Sequence, residues 1–393
     1  MGPWRSRHEG PIGCLRLKVG CVSLIVIDCT IATPPGTRRT PALFCNHTPT
    51  LSQLALSFCR HRRLSFVGSD KKRCDGGTGD KTARPQWPEF NNEEKKSAYS
   101  VQSLGIIMST TTTTTTGLVQ VSSTPDIRLF YSLDGPLDGS RPIIALSSSL
   151  AADTHLWDDF VTAFTPQYTI LRYDARFHGQ SPLSSTPDFD YAAGHTIEDL
   201  ASDVVLLLDH LHITKLRAFI GLSIGAAVAL VFGTQHPERV EHVLVVGTKA
   251  ENKESANAGH QARITYGREN GPLALGRQSI SRWFSADWIT AHPDKVAKLE
   301  GIVGTQSIEG FEASIAALRR LDLWKYADEV KKRGHGERFV FVAGEWDTPV
   351  VPESRQLAKR AGSRMVVVPE SGHIVNVQQP ESFYEVVREV IEK

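Results

Sequence analysis

From Gly117 onward the apolar residues fall into short runs, and these runs alternate with stretches of helical periodicity. Candidate strands are Leu118 to Ser122, Ile127 to Ser132, Pro142 to Ser147, Thr169 to Tyr173, Leu216 to Leu222, Val240 to Gly247, Phe339 to Gly344 and Arg364 to Pro369. The later ones are apolar throughout, as strands buried on both faces of a parallel sheet are. Between them, Thr196 to Leu211 sets Ile197, Leu200, Val204, Leu208 and Leu211 on one helical face, with Thr196 as N-cap and Asp199 in the first turn. Pro380 opens a last helix through Phe383, Val386, Val387 and Val390. Strands alternating with helices predict an α/β fold with a mostly parallel central sheet flanked by helices.

One interval breaks the alternation. From about Ala250 to Arg338 only helical pattern is present, as in Pro293 to Ile302 and Gly310 to Leu321. This reads as an inserted helical cap over residues 250–338. Lying between two strands of the sheet, it should cover their carboxyl ends, where open α/β sheets bind ligands.

Residues 1–107 follow no such pattern. They are arginine-rich early, scattered with Pro, Gly and Ser, and read as a disordered N-terminal extension ahead of a domain spanning 108–393. Val19 to Ile27 is apolar but far short of the ~20 residues that cross a bilayer. It could be the core of a signal peptide, and the scarcity of acids before Asp70 would suit a transit peptide. The reading preferred here is that Met108, followed by the threonine run Thr110 to Thr116, starts the protein, with the cytosol as default compartment.

Composition narrows the partners. With 393 residues, a net charge of +1, 40% hydrophobic and 22% charged residues, the chain has a substantial core and neither a basic face nor an acidic run. Nucleic acid and anionic membranes have no compositional support, so a small-molecule substrate is expected. All six cysteines lie between Cys14 and Cys74, with spacings that match no zinc pattern, and no metal or organic cofactor is expected.

The chemistry centres on Gly221-Leu222-Ser223-Ile224-Gly225. An apolar run precedes it and the small-residue run Ala226 to Leu230 follows, which is the strand, sharp turn and helix that expose a nucleophilic serine. A serine hydroxyl needs a histidine base and a carboxylate to orient it. Asp347 follows the strand Phe339 to Gly344, with Glu345 as its rival, and His373 follows the next strand in Ser371-Gly372-His373. The order Ser, Asp, His is that of an α/β-hydrolase. An oxyanion hole would take the amide of Ile224, at a helix N-terminus, and a second amide after the strand Ile143 to Leu146, from Leu150 or Ser149.

At this level of detail the chain resembles the α/β-hydrolase superfamily and, within it, the bacterial 3-oxoadipate enol-lactonases. The matching segments are Ser148-Ser149-Leu150 with Trp157-Asp158, Leu171 to Ser181, the nucleophile motif, Arg282-Trp283-Phe284, Gly310-Phe311 with Ala317 to Asp322, and the Asp347 and His373 loops. The resemblance implies the α/β-hydrolase fold, hydrolysis of a carboxylic ester or lactone through an acyl-serine, and a substrate site including Trp283, Ser149 and Phe177. It also implies that Asp174, Arg176 and His178 fix a turn. Two positions depart from the family pattern: Phe177 and Ala151 stand where glycine is usual. Relatives with the same triad include tailoring esterases of secondary metabolism, which remain an alternative, as does a ligand receptor without activity.

Overall fold

The computed structural model describes residues 113–393; the expected extension, its cysteines, the Val19 to Ile27 run and the start at Met108 lie outside them. Eight strands, β1 (Thr114–Ser123), β2 (Asp126–Asp134), β3 (Ile143–Ser147), β4 (Thr169–Tyr173), β5 (Leu216–Leu222), β6 (Val240–Val246), β7 (Phe339–Gly344) and β8 (Arg364–Val368), form one sheet in the order β1-β2-β4-β3-β5-β6-β7-β8. β2 pairs antiparallel with β1 and β4, while every pairing from β4 through β3, β5, β6, β7 to β8 is parallel.

The predicted strands are all present, and β1 is longer than expected. Part of the threonine run joins it: Thr114 to Thr116 pair with Asp134 to Ser132, and the Thr114 hydroxyl donates to Asp134 at 2.7 Å. β-branched side chains suit an exposed edge strand, so the absence of apolar residues there does not end the strand.

Alternating residues of the parallel strands feed two cores. Phe219, Val243, Val245 and Phe341 face one layer, with α2 (Ile197–His210), α3 (Ile224–Gln235), α8 (Trp324–Lys332) and α9 (Val351–Ala361). Ile220, Leu244, Val246 and Val342 face the other, with α1 (Asp158–Phe164), α10 (Val375–Gln378) and α11 (Pro380–Ile391). α2 starts as predicted: Thr196 accepts from the Asp199 amide while Asp199 accepts from that of Thr196, a reciprocal capping box. α3 is buried from Ile224 to Thr234, and its alanines and glycines let it lie close to the sheet.

Between β6 and β7 run α4 (Asn257–Trp283), α5 (Ala286–Ala291), α6 (Pro293–Val303), α7 (Ile308–Arg319) and α8. α8 packs against α3 and α9, whereas α4 packs against α6 and α7. α4 is two limbs joined at Gly271, whose φ of 85° and ψ of 170° interrupt the helix just before Pro272. Only a residue without Cβ takes that conformation without strain. Among the described residues, no helix is long and apolar enough to cross a membrane.

Candidate active site

The loops leaving the carboxyl ends of β3, β5, β6, β7 and β8 converge on one cavity of about 570 Å3. Ser223 stands between β5 and α3 with φ 61° and ψ −116°. That left-handed strain, of the order of 1–3 kcal/mol, is held by its surroundings. The Ser223 amide donates to the Val246 carbonyl at 2.7 Å. The flanking glycines are demanded by close approach: a Cβ on Gly221 would lie 2.0 Å from the Gly225 carbonyl oxygen, and one on Gly225 would lie 2.5 Å from that of Ser147.

His373 meets Ser223 from the loop after β8. Its Nδ1 lies 2.6 Å from Asp347 Oδ2 and its Nε2 lies 3.0 Å from Ser223 Oγ. With the carboxylate accepting, Nδ1 carries the proton and Nε2 is left to accept from the serine hydroxyl, an assignment made from the network. The His373 and Asp347 side chains are 16% and 10% exposed, so the pair is largely shielded from water. Glu345, the rival carboxylate, is turned away and accepts instead from the Glu370 amide at 3.0 Å.

Backbone bonds fix these loops. The Trp346 amide donates to Ser371, the Gly372 amide to Gln378 Oε1 at 2.7 Å, and the His373 amide to the carbonyl of Trp283 at 3.1 Å. The last of these ties the second limb of α4 to the histidine loop. Gln378 and the Trp283 carbonyl were invisible in the sequence, because neither contact follows from residue type or spacing.

Ser149, Leu150, Ile224 and Trp283 all line the cavity beside Ser223. The amides of Leu150 and Ile224 make no hydrogen bond among the described residues and so are free to donate. Their loop is braced from behind: Trp157 Nε1 donates to Ser148 Oγ, Ser148 Oγ to the Asp153 carbonyl, and the Tyr173 hydroxyl to Ser147 Oγ. Burial raises the Tyr173 phenol well above its usual range, so it remains a donor.

Phe177 does not join this group. It is buried with its ring against Phe189, Tyr191 and His195, at centroid distances of 5.2, 5.1 and 6.2 Å, and it is absent from the cavity wall. Its φ is 66°, and that of Ala151 is 60°. Both positions where glycine is usual in the resembling family therefore keep the backbone that favours glycine. The aromatic cluster around Phe177 compensates the strain there, and the turn carries a bulky residue into the core rather than into the site.

The rest of that turn is structural. Asp174 accepts from the amides of Thr154 and Gln180, and burial pushes its carboxyl up to about 6. Arg176 makes two bonds to Asp203, at 2.6 and 2.7 Å. His178 Nδ1 donates to the Arg176 carbonyl at 2.9 Å. Among the described residues, no group of three or more His, Cys, Asp or Glu side chains is arranged to hold a metal ion.

Known proteins share this architecture. Residues 147–386 match the model of the alpha/beta hydrolase family. The chain is 30% identical over 269 residues to 3-oxoadipate enol-lactonase 2 of Acinetobacter baylyi, an alignment covering 68% of this chain and 94% of that protein. It is 25% identical, with the same coverage, to 3-oxoadipate enol-lactonase 1 of that organism. The crystal structure of the enol-lactonase from Burkholderia xenovorans superposes with a TM-score of 0.61 at 28% identity, over 70% of this chain and all of that one. The fold expected from alternating strands and helices is thus confirmed, and the chain belongs to the alpha/beta hydrolase family.

Proposed function

We propose that the protein hydrolyses a carboxylic ester or lactone of a small molecule, with Ser223 as nucleophile, His373 as general base and acid, and Asp347 orienting the imidazole. The observation that carries the reading is the continuous hydrogen-bonded run from Asp347 through His373 to Ser223 in the wall of a cavity large enough for a small ligand.

In the first step His373 Nε2 takes the hydroxyl proton as Ser223 Oγ attacks the carbonyl carbon. The oxyanion forms against the amides of Ile224 and Leu150, the former polarised by the N-terminus of α3. Collapse breaks the acyl carbon–oxygen bond, and His373 returns its proton to the departing alkoxide or enolate. In a lactone the leaving oxygen stays attached to the acyl chain. Water, deprotonated by His373, then attacks the acyl-serine, and its collapse releases the acid and restores Ser223. Asp347 stabilises the imidazolium at each proton transfer and is not itself protonated. The named enol-lactonases make an enol-lactone the first substrate to try.

Ser223→Ala should lower kcat on p-nitrophenyl acetate or an enol-lactone by about 10⁵-fold or more and abolish labelling by a fluorophosphonate. Turnover near the unmodified level would refute the assignment.

A further inference from the structure

A small cavity lies behind the oxyanion loop, on the side away from the ligand. It holds about 20 Å3 and is enclosed by residues 147–150, the turn after β4, the start of α3, and helices α2 and α7. Leu150 and Ile224, whose amides face the oxyanion, form part of its wall. A buried water molecule needs about 10–15 Å3 of such space and roughly two to four polar partners.

The wall offers those partners. His178 is buried, its Nδ1 is committed to the Arg176 carbonyl, and its Nε2 is buried without a partner among the described residues. With Nδ1 donating, Nε2 presents a lone pair, and burial lowers the affinity of the ring for a second proton. An acceptor shut away from solvent requires a donor. The Tyr173 hydroxyl donates to Ser147 Oγ at 2.9 Å, which leaves Ser147 its own hydrogen to give. Ser149 and Ser314 bring two further hydroxyls to the same wall, the latter 3.4 Å from His195 Nε2. Asp203 is already held by two bonds from Arg176. None of the three serine hydroxyls is within hydrogen-bond range of His178 Nε2, so the gap suits a bridging molecule.

We propose that one water molecule occupies this cavity, accepting from the Ser147 hydroxyl and donating to His178 Nε2, and that through it His178 positions the oxyanion loop. Trp157 braces that loop through Ser148, and the water ties its other side to the turn after β4. His178 touches neither substrate nor Ser223 and acts only by holding the Leu150 amide where negative charge develops. The role rests on Ser223 being the nucleophile and Leu150 an oxyanion donor.

The test has two arms, both with the full chain. In the first, a crystal structure of the unmodified protein should show one ordered water within about 3.2 Å of His178 Nε2 and of a serine hydroxyl. In Val228→Ile, whose added methyl group narrows the cavity, the water should be gone. Its absence from the unmodified protein, or a direct bond from a serine to His178, overturns the proposal. The second arm compares two amides at position 178. His178→Asn keeps a donor for the Arg176 carbonyl and lacks the Nε2 acceptor, whereas His178→Gln places an amide oxygen near the Nε2 position. In His178→Asn, kcat on p-nitrophenyl acetate should fall about 10- to 100-fold with KM little changed, less than the loss of an oxyanion donor outright. The rate of fluorophosphonate labelling should fall in parallel, and Val228→Ile should show the same pattern with His178 intact. His178→Gln should recover most of the rate; a ring valued only for its bond to Arg176 would reverse that order. Unchanged kcat in His178→Asn, or the reversed order, overturns the positioning role. A water found in place in a chain that neither cleaves esters nor takes the label would leave the bridge standing and remove the hydrolase reading alone.

Discussion

The strand-end loops and the kinked helix α4 face each other across one cavity, and they are built on opposite terms. The loops hold Ser223 and Asp347 by main-chain bonds to the sheet, with only the His373 amide reaching across to α4, and use glycines where nothing larger fits. α4 holds Arg263 and Arg282 on two limbs whose relation depends on one residue, Gly271 at φ 85°. A side chain on a loop braced by the sheet keeps its place when the surface changes. One on an inserted helix can be moved by altering a single joint, which is how a common chemistry comes to serve different substrates.

The sharpest way to break the contrast is on the loop side. Asp347→Asn keeps the shape of the site but lets the imidazole take the wrong tautomer, so kcat on a p-nitrophenyl ester should fall about 10⁴-fold with KM little changed. A loss below tenfold would mean that the loop geometry alone orients His373.

On the helix side, Gly271→Ala should cost about 1–3 kcal/mol in chemical denaturation, since alanine resists that backbone. Fluorophosphonate labelling of Ser223 should persist. Loss of labelling in a folded variant would show that α4 and the loops are not separable.

The smallest effect concerns protons. His260, lowered to about 4 in the folded chain by burial and by Arg319, Arg263, Lys249 and Arg282, and near its ordinary 6.5 when unfolded, binds more protons in the unfolded chain between these values. Its contribution to stability is therefore present above pH 6.5 and lost as the pH falls towards 4. Proton NMR should find its ring neutral at pH 5.5, and a ring already charged there would show that the cations around it lie further off.

The loop side was legible in the sequence because its constraints are local. Apolar runs mark the strands, and the loops leaving β5, β7 and β8 must emerge at one edge, so Ser223, Asp347 and His373 could be matched on those loops without knowing any contact. Ser149, Leu150, Ile224 and Trp283 followed by position or by resemblance, and all reach the cavity. Phe177 did not: a buried aromatic was expected at the ligand, but the positive φ at that turn directs its ring into a cluster with Phe189 and Tyr191. The residues between 257 and 283 gave no sharp signal, because glycines and a proline interrupt a polar helix whose buried positions are few. Arg263 and Arg282 are 19 positions apart and come together only through the kink and the packing of the two limbs. Nothing in local pattern encodes that approach.

The bond from the His373 amide to the Trp283 carbonyl bears on how such enzymes could be re-engineered. Grafting a foreign cap onto this sheet replaces the partner of the histidine loop along with the substrate pocket. A chimera would have to reproduce the main-chain path at position 283, whatever side chain it carries there. Chimeras joined without regard to that path should lose rate before they change substrate, so the crossover point belongs after residue 283 rather than at the end of the cap.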